Sequence, residues 1–199
     1  MWFIEREGDK SMNVTVFIGA SLGGDQMYEF EAKALGKWIG ENGHRLVYGG
    51  SKIGLMGVLA DSVLEHGGEV IGVETAFFLE QKMQHDNLTE LIVTESMAER
   101  REKMIELGDA FIAFPGGTGT LEEISDVISQ KKQGRTEKPA AILNIEGFYD
   151  PLKAMLKKMV EEGFLNERDL RKVVFSKNVE SAAWHLEHSV KSARVPDRR

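Results

Sequence analysis

The sequence contains no cysteine. That excludes disulfides, thiolate metal sites and thiol catalysis together, and it fits a reducing compartment. No stretch approaches the roughly 20 apolar residues of a membrane span. The start, Met1-Trp2-Phe3-Ile4 before Glu5-Arg6-Glu7, has the wrong order for a secretory signal, because its charges follow a very short apolar stretch. A cytoplasmic location is therefore expected. Excess positive charge is lacking as well. With a formal net charge of −7, no broad nucleic-acid or anionic-membrane surface is expected, and an anionic ligand must be held by backbone dipoles and a few cations. No linker, repeat or low-complexity segment divides the 199 residues, so one core is expected. Residues 1–12 are expected to be a loosely ordered lead and 189–199 a flexible basic tail.

What is present is an alternation of short β-branched runs and longer helical periods. Strands are expected at 14–19, 45–48, 70–73, 91–93, 110–114, 140–143 and 172–175. They are nearly all apolar, as when both faces of a sheet are covered. Asp25 is placed to cap a helix in which Met27, Phe30, Ala34, Leu35, Trp38 and Ile39 recur at three- and four-residue spacing, with Gly43 to stop it. Further helices are expected around Leu55–Val63 and at 97–107, 120–132, 151–162 and 179–188, whereas 75–89 reads as a loop or short helical turns. Strands separated by helix-length segments predict a single-domain α/β fold over residues 13–188: a doubly wound, Rossmann-like sheet, mainly parallel, with helices on both faces.

Ligands of such sheets sit at the carboxyl ends of the strands. Three loops there are glycine-rich, at 19–24, 49–57 and 116–119. The third follows an all-apolar strand and opens a helix, so its unpaired N–H groups and dipole favour an anion, with Gly116, Gly117 and Gly119 admitting it and Thr118 and Thr120 adding hydroxyls. A phosphate is the expected occupant. The loop lacks the lysine of a Walker A motif, and no G-x-G-x-x-G follows the first strand. Glu122 and Glu123 are expected in the first helical turn, where a carboxylate either complements the dipole or serves the ligand; the spacing leaves both open. Arg100, Arg101 and Lys103 lie together on the 97–107 helix, as a solvated charged face or as the cations for a phosphorylated substrate.

At these residues the sequence resembles the LOG ("lonely guy") family of cytokinin riboside 5′-monophosphate phosphoribohydrolases, whose bacterial members were long labelled possible lysine decarboxylases. The family motif P-G-G-x-G-T-x-x-E is matched in full by residues 115–123. Y-G-G-G-x-x-G-L-M-G is matched by 48–57 with Ser51 for the third glycine, and Gly19-Ala20-Ser21 and Asn87-Leu88-Thr89-Glu90-Leu91 match further motifs. The resemblance implies hydrolysis of the N-glycosidic bond of a nucleoside 5′-monophosphate to free base and ribose 5-phosphate. Arg100 and Glu123 are the implied catalytic pair. Ser21, Gly49, Gly50, Met97 and Arg101 are implied to bind the nucleotide together with Gly116, Gly117, Thr118, Gly119 and Thr120. A homodimer is implied, and no cofactor. The arginine motif departs from the family pattern at Ala98, which replaces a histidine, and at Arg101, which replaces a lysine. The segment Ser129-Gln130-Lys131-Lys132 stands where many members carry a tryptophan.

Two other classes compete. A pyridoxal phosphate decarboxylase needs a Schiff-base lysine, and none is well placed in the sequence near the phosphate loop. A non-catalytic cofactor carrier of related fold needs the glycine loops but not the Arg–Glu pair. His44, His66, His85, His185 and His188 show no metal-ligand spacing, and no metal is expected.

Overall fold

The structure, a computed structural model, describes residues 11–194. Seven strands, β1 (Asn13–Phe17), β2 (Arg45–Tyr48), β3 (Glu69–Thr75), β4 (Glu90–Thr94), β5 (Ala110–Ala113), β6 (Ala140–Leu143) and β7 (Val173–Ser176), form one sheet in the order β4-β3-β2-β1-β5-β6-β7. Every pairing is parallel. The chain starts in the middle of the sheet, winds outward to β4, then returns beside β1 with β5. The loops leaving β1 and β5 therefore separate at a topological switch point, where a crevice opens.

The helices are α1 (Gln26–Glu41), α2 (Gly54–Glu65), α3 (Ala76–Glu80), α4 (Met97–Leu107), α5 (Thr118–Lys132), α6 (Asp150–Glu161), α7 (Glu167–Leu170) and α8 (Val179–Arg194), with a 3-10 turn at Ile145–Gly147. Successive strand residues point to opposite faces. Val14, Val16 and Leu46 pack with α1, α2 and α8, whereas Phe17, Val47 and Phe111 pack with Met104 and Ile105 of α4 and Ile124 and Val127 of α5. A buried polar tie joins the second layer, Thr15 Oγ1 donating to the Met104 carbonyl at 2.8 Å.

Helix α1 is capped by Asp25, whose carboxylate accepts the Met27 N–H at 2.8 Å. Its buried face differs from the expected one. Phe30 is 64% exposed, and the face turned inward is Ala32, Leu35, Gly36, Ile39 and Gly40. A Cβ on Gly36 would lie 2.6 Å from Ser62 Cβ, and one on Gly40 would lie 2.8 Å from His66 Cβ. The two glycines let α1 and α2 approach backbone to backbone. An apolar count cannot see that contact.

Other differences are local. Residues 75–89 contain the short helix α3, in keeping with the expected loop or short helical turns, and add an antiparallel bridge from Gln84 to Ser51. Met12, placed in the loose lead, is buried at 3% and its N–H donates to His44 Nδ1. The expected basic tail begins inside α8, which runs to Arg194. Residues 1–10 and 195–199 lie outside the described residues. Among the described residues no helix is long and apolar enough to cross a membrane.

Candidate functional site

The glycine loops meet through backbone. Gly19 N–H donates to the Pro115 carbonyl at 3.3 Å, and a Cβ on Gly116 would lie 2.9 Å from Gly19 N. Gly54, at φ +59°, leaves no room for a side chain against the Ala20 carbonyl. The loops after β1, β2 and β5 thus form one floor under a cavity of about 560 Å³.

Helix α5 begins two residues earlier than expected, at Thr118, because Gly117 takes the cap position. Glu122 and Glu123 consequently fall in the second turn, away from the terminal dipole. Gly117 has no side chain to cap the helix, so the N–H groups of its first turn are left to a ligand. A Cβ on Gly117 or on Gly119 would meet no protein atom within 4 Å, and both residues line the cavity. The protein itself does not require glycine at either position. An anion approaching the backbone does.

Arg100 projects from the first turn of α4, whose cap is Ser96, with the Ser96 hydroxyl accepting the Glu99 N–H at 3.2 Å. It is buried at 7%. Its Nε donates to the Val73 carbonyl at 2.8 Å, and its Nη1 donates to Glu123 Oε1 at 3.3 Å. Burial pushes the Glu123 carboxyl up from 4.5 to about 7, against the lowering pull of Arg100 and then Arg101. A carboxyl with a raised pKa thus sits beside a fixed positive charge in a cleft, a common mark of a reactive site.

The remaining expected residues divide. Ser21, Gly49, Met97, Arg101, Gly116, Thr118 and Thr120 line the cavity. Gly49 is there for a packing reason: a Cβ would overlap the Arg100 guanidinium and come within 2.6 Å of Met56 Cε. Gly50 does not line the cavity; at φ +77° it turns the chain, and its carbonyl accepts the His85 N–H at 2.8 Å. Arg101 is held by Glu122 and Asp126, each at 3.0 Å. Ser51, in the family's glycine position, is buried, and its Oγ accepts the Ile53 N–H at 3.2 Å.

Sequence reasoning missed Glu74. It ends the apolar run of β3, is buried at 3%, lines the cavity and lies 3.4 Å from Arg100 Nε through Oε1. A carboxylate directly after the apolar run Val70–Val73 was the available signal. The apolar walls were missed too: Phe148 and Tyr28, edge to face at 6.0 Å between ring centroids, on one side, and Phe78 and Met83 on another. Lys131, in the segment expected to bear on base preference, is buried elsewhere, donating to the Lys138 carbonyl at 2.6 Å. Among the described residues no lysine lines the cavity, and no group of three or more His, Asp or Glu could hold a metal.

Fold and site together define a doubly wound α/β protein with an anion cradle at its switch point and a buried Arg–Glu pair beside it. The family described as "possible lysine decarboxylase" matches residues 56–186. A cytokinin riboside 5′-monophosphate phosphoribohydrolase of Rhodococcoides fascians is 41% identical over 171 residues, 85% of this chain and 86% of that protein. The phosphoribohydrolase LOG of Oryza sativa subsp. japonica is 39% identical over 163 residues, 82% of this chain and 67% of that protein. A molybdenum cofactor carrier protein from Chlamydomonas reinhardtii shares the fold, with a TM-score of 0.68 at 20% identity over 92% of this chain and 99% of that one. The chain belongs to the possible lysine decarboxylase family, in its LOG branch.

Proposed function

We propose that the protein hydrolyses the N-glycosidic bond of a nucleoside 5′-monophosphate, releasing free base and ribose 5-phosphate. The observation that carries this reading is the Arg100–Glu123 contact at 3.3 Å, buried beside the uncapped start of α5. The phosphate takes the N–H groups of Thr118, Gly119 and Thr120. The ribose then lies along the first turns of α5, toward Glu123. As the bond from C1′ to the base breaks, its electron pair leaves with the base and positive charge grows on the sugar. Ionised Glu123 stabilises that charge and takes a proton from the water that attacks C1′; the base gains a proton, so one water is consumed per bond. Arg100 stays protonated throughout and acts by charge and position. A carboxyl titrating at about 7 is well matched to neutral general-base work.

The names of the relatives from Rhodococcoides fascians and Oryza sativa support this reading, and the lysine-free cavity speaks against pyridoxal chemistry. AMP and N6-substituted AMP are the proposed substrate range. A homodimer is proposed as well, through the exposed Met97 and Leu121 at the starts of α4 and α5; light scattering on the purified chain tests it. The absence of cysteine fits action in the cytoplasm. The deciding assay incubates the protein with a panel of nucleoside monophosphates and measures released base by chromatography. Release expected from the wild type should vanish in Glu123→Ala with nucleotide binding retained. Tight binding without release in the wild type would instead identify a carrier.

A further inference from the structure

The family motifs do not account for Glu74, although it is as buried as the catalytic pair. Its Oε1 accepts the Thr75 N–H at 2.9 Å and forms an ion pair with Arg100 Nε at 3.4 Å, whose own N–H goes to the Val73 carbonyl. Its Oε2 accepts no hydrogen bond from the described residues, and the residue lines the cavity. Such an oxygen is left to accept from a molecule in the cavity. Burial also holds the pKa of this carboxyl above its ordinary value, against the lowering pull of Arg100 and of the Thr75 N–H.

Glu74 and Glu123 touch the same guanidinium, through Nε and Nη1. The two carboxylates thus flank one guanidinium, close enough for a single furanose to meet both. An acidic side chain at the carboxyl end of a strand is a general device for ribose hydroxyls in doubly wound folds. Resting on the function proposed above, we propose that Glu74 accepts a hydrogen bond from the 2′-hydroxyl of the substrate, restricting the enzyme to ribonucleotides. A hydroxyl held by a buried acceptor becomes a specificity element, because the analogue lacking it leaves the acceptor unpaired.

The test compares kcat/KM for AMP and 2′-deoxy-AMP in the wild type, Glu74→Met and Glu74→Gln. The deoxynucleotide has the weaker glycosidic bond, so a preference for AMP must come from the protein. The wild type should prefer AMP by at least about 100-fold. Glu74→Met should lose about that factor on AMP and little on 2′-deoxy-AMP, so that the preference collapses. Glu74→Gln keeps an oxygen for Thr75 and should fall between; it decides the matter if the methionine variant does not fold. Equal losses on both nucleotides would show that Glu74 only positions Arg100 and would overturn the proposal, as would a wild type indifferent to the hydroxyl or a preference that survives both substitutions. A wild type that releases base from neither nucleotide, nor from any other monophosphate, refutes the reaction itself and is thereby told apart.

Discussion

Replacing Gly49 by alanine adds one methyl group at the most crowded point beneath the site. The new carbon would overlap the guanidinium of Arg100 and lie 2.6 Å from Met56 Cε. Ordinary carbon contacts are about 3.5–4.0 Å, so Met56 must retreat by about 1 Å and the guanidinium by more. Met56 ends in a flexible thioether and can yield. Arg100 cannot move freely, being tied to the Val73 carbonyl at 2.8 Å and to Glu123 and Glu74 at 3.3 and 3.4 Å. Displacing a catalytic group by about 1 Å costs on the order of 100-fold in rate. Overpacking of this kind costs about 1–3 kcal/mol, or about 2–12 °C in Tm for a chain of this size. Gly49→Ala should therefore lose about 100-fold in kcat/KM on the best nucleotide, with a lowered thermal midpoint, both read on one preparation. Wild-type turnover in that variant would refute the assignment of Gly49 to making room for Arg100.

Gly119→Ala should behave in the opposite way. Its methyl meets no protein atom within 4 Å and gains about 0.5–1 kcal/mol of helix preference, so Tm should hold or rise while KM for the nucleotide increases about 10-fold through crowding of the phosphate; a calorimetric melt and a titration with AMP read the two effects. Glu123 should make stability pH-dependent. Its folded pKa of about 7 lies above the ordinary 4.5, so its contribution is fully present below about 4.5 and is lost as pH rises through about 7, by up to about 3 kcal/mol. Denaturant titrations of Glu123→Gln should show that slope flattened. In the wild type, kcat/KM should rise with pH through about 7 as the carboxylate forms. Tyr149→Phe removes the hydroxyl that donates to the Phe114 carbonyl at 2.8 Å, leaving a buried acceptor at the root of the phosphate loop; a loss of about 1–2 kcal/mol in stability is expected, measured by urea unfolding.

The strands and most helix limits were legible because a sheet covered on both faces writes its strands as unbroken apolar runs, and α4 and β6 fall at the expected residues. The buried face of α1 was not, since Gly36 and Gly40 pack through what they lack. The start of α5 was set by backbone geometry at Gly117, which no side-chain pattern announces. Arg100 and Glu123 carried signals of two kinds, motif and charge. Glu74 carried only the second, and as the end of a strand it read as a boundary. Tyr28 and Phe148 come together from segments far apart in the sequence, and the sheet order brings them to one cavity.

The floor of the cavity is backbone laid against backbone at Gly19, Gly54 and Gly116, with no side chain between the loops. Such a floor has no rotamers to freeze when a phosphate arrives, so the anchor is preformed, and its share of the binding entropy has already been spent in folding. The walls are different. Phe78 lies on α3, Met83 shortly after it, and Phe148 just before α6, all outside the glycine loops of that floor. Changes there can alter which base is admitted while the grip on the phosphate stays constant. The molecule thereby separates the part of the site that must not vary from the part that can be revised one residue at a time.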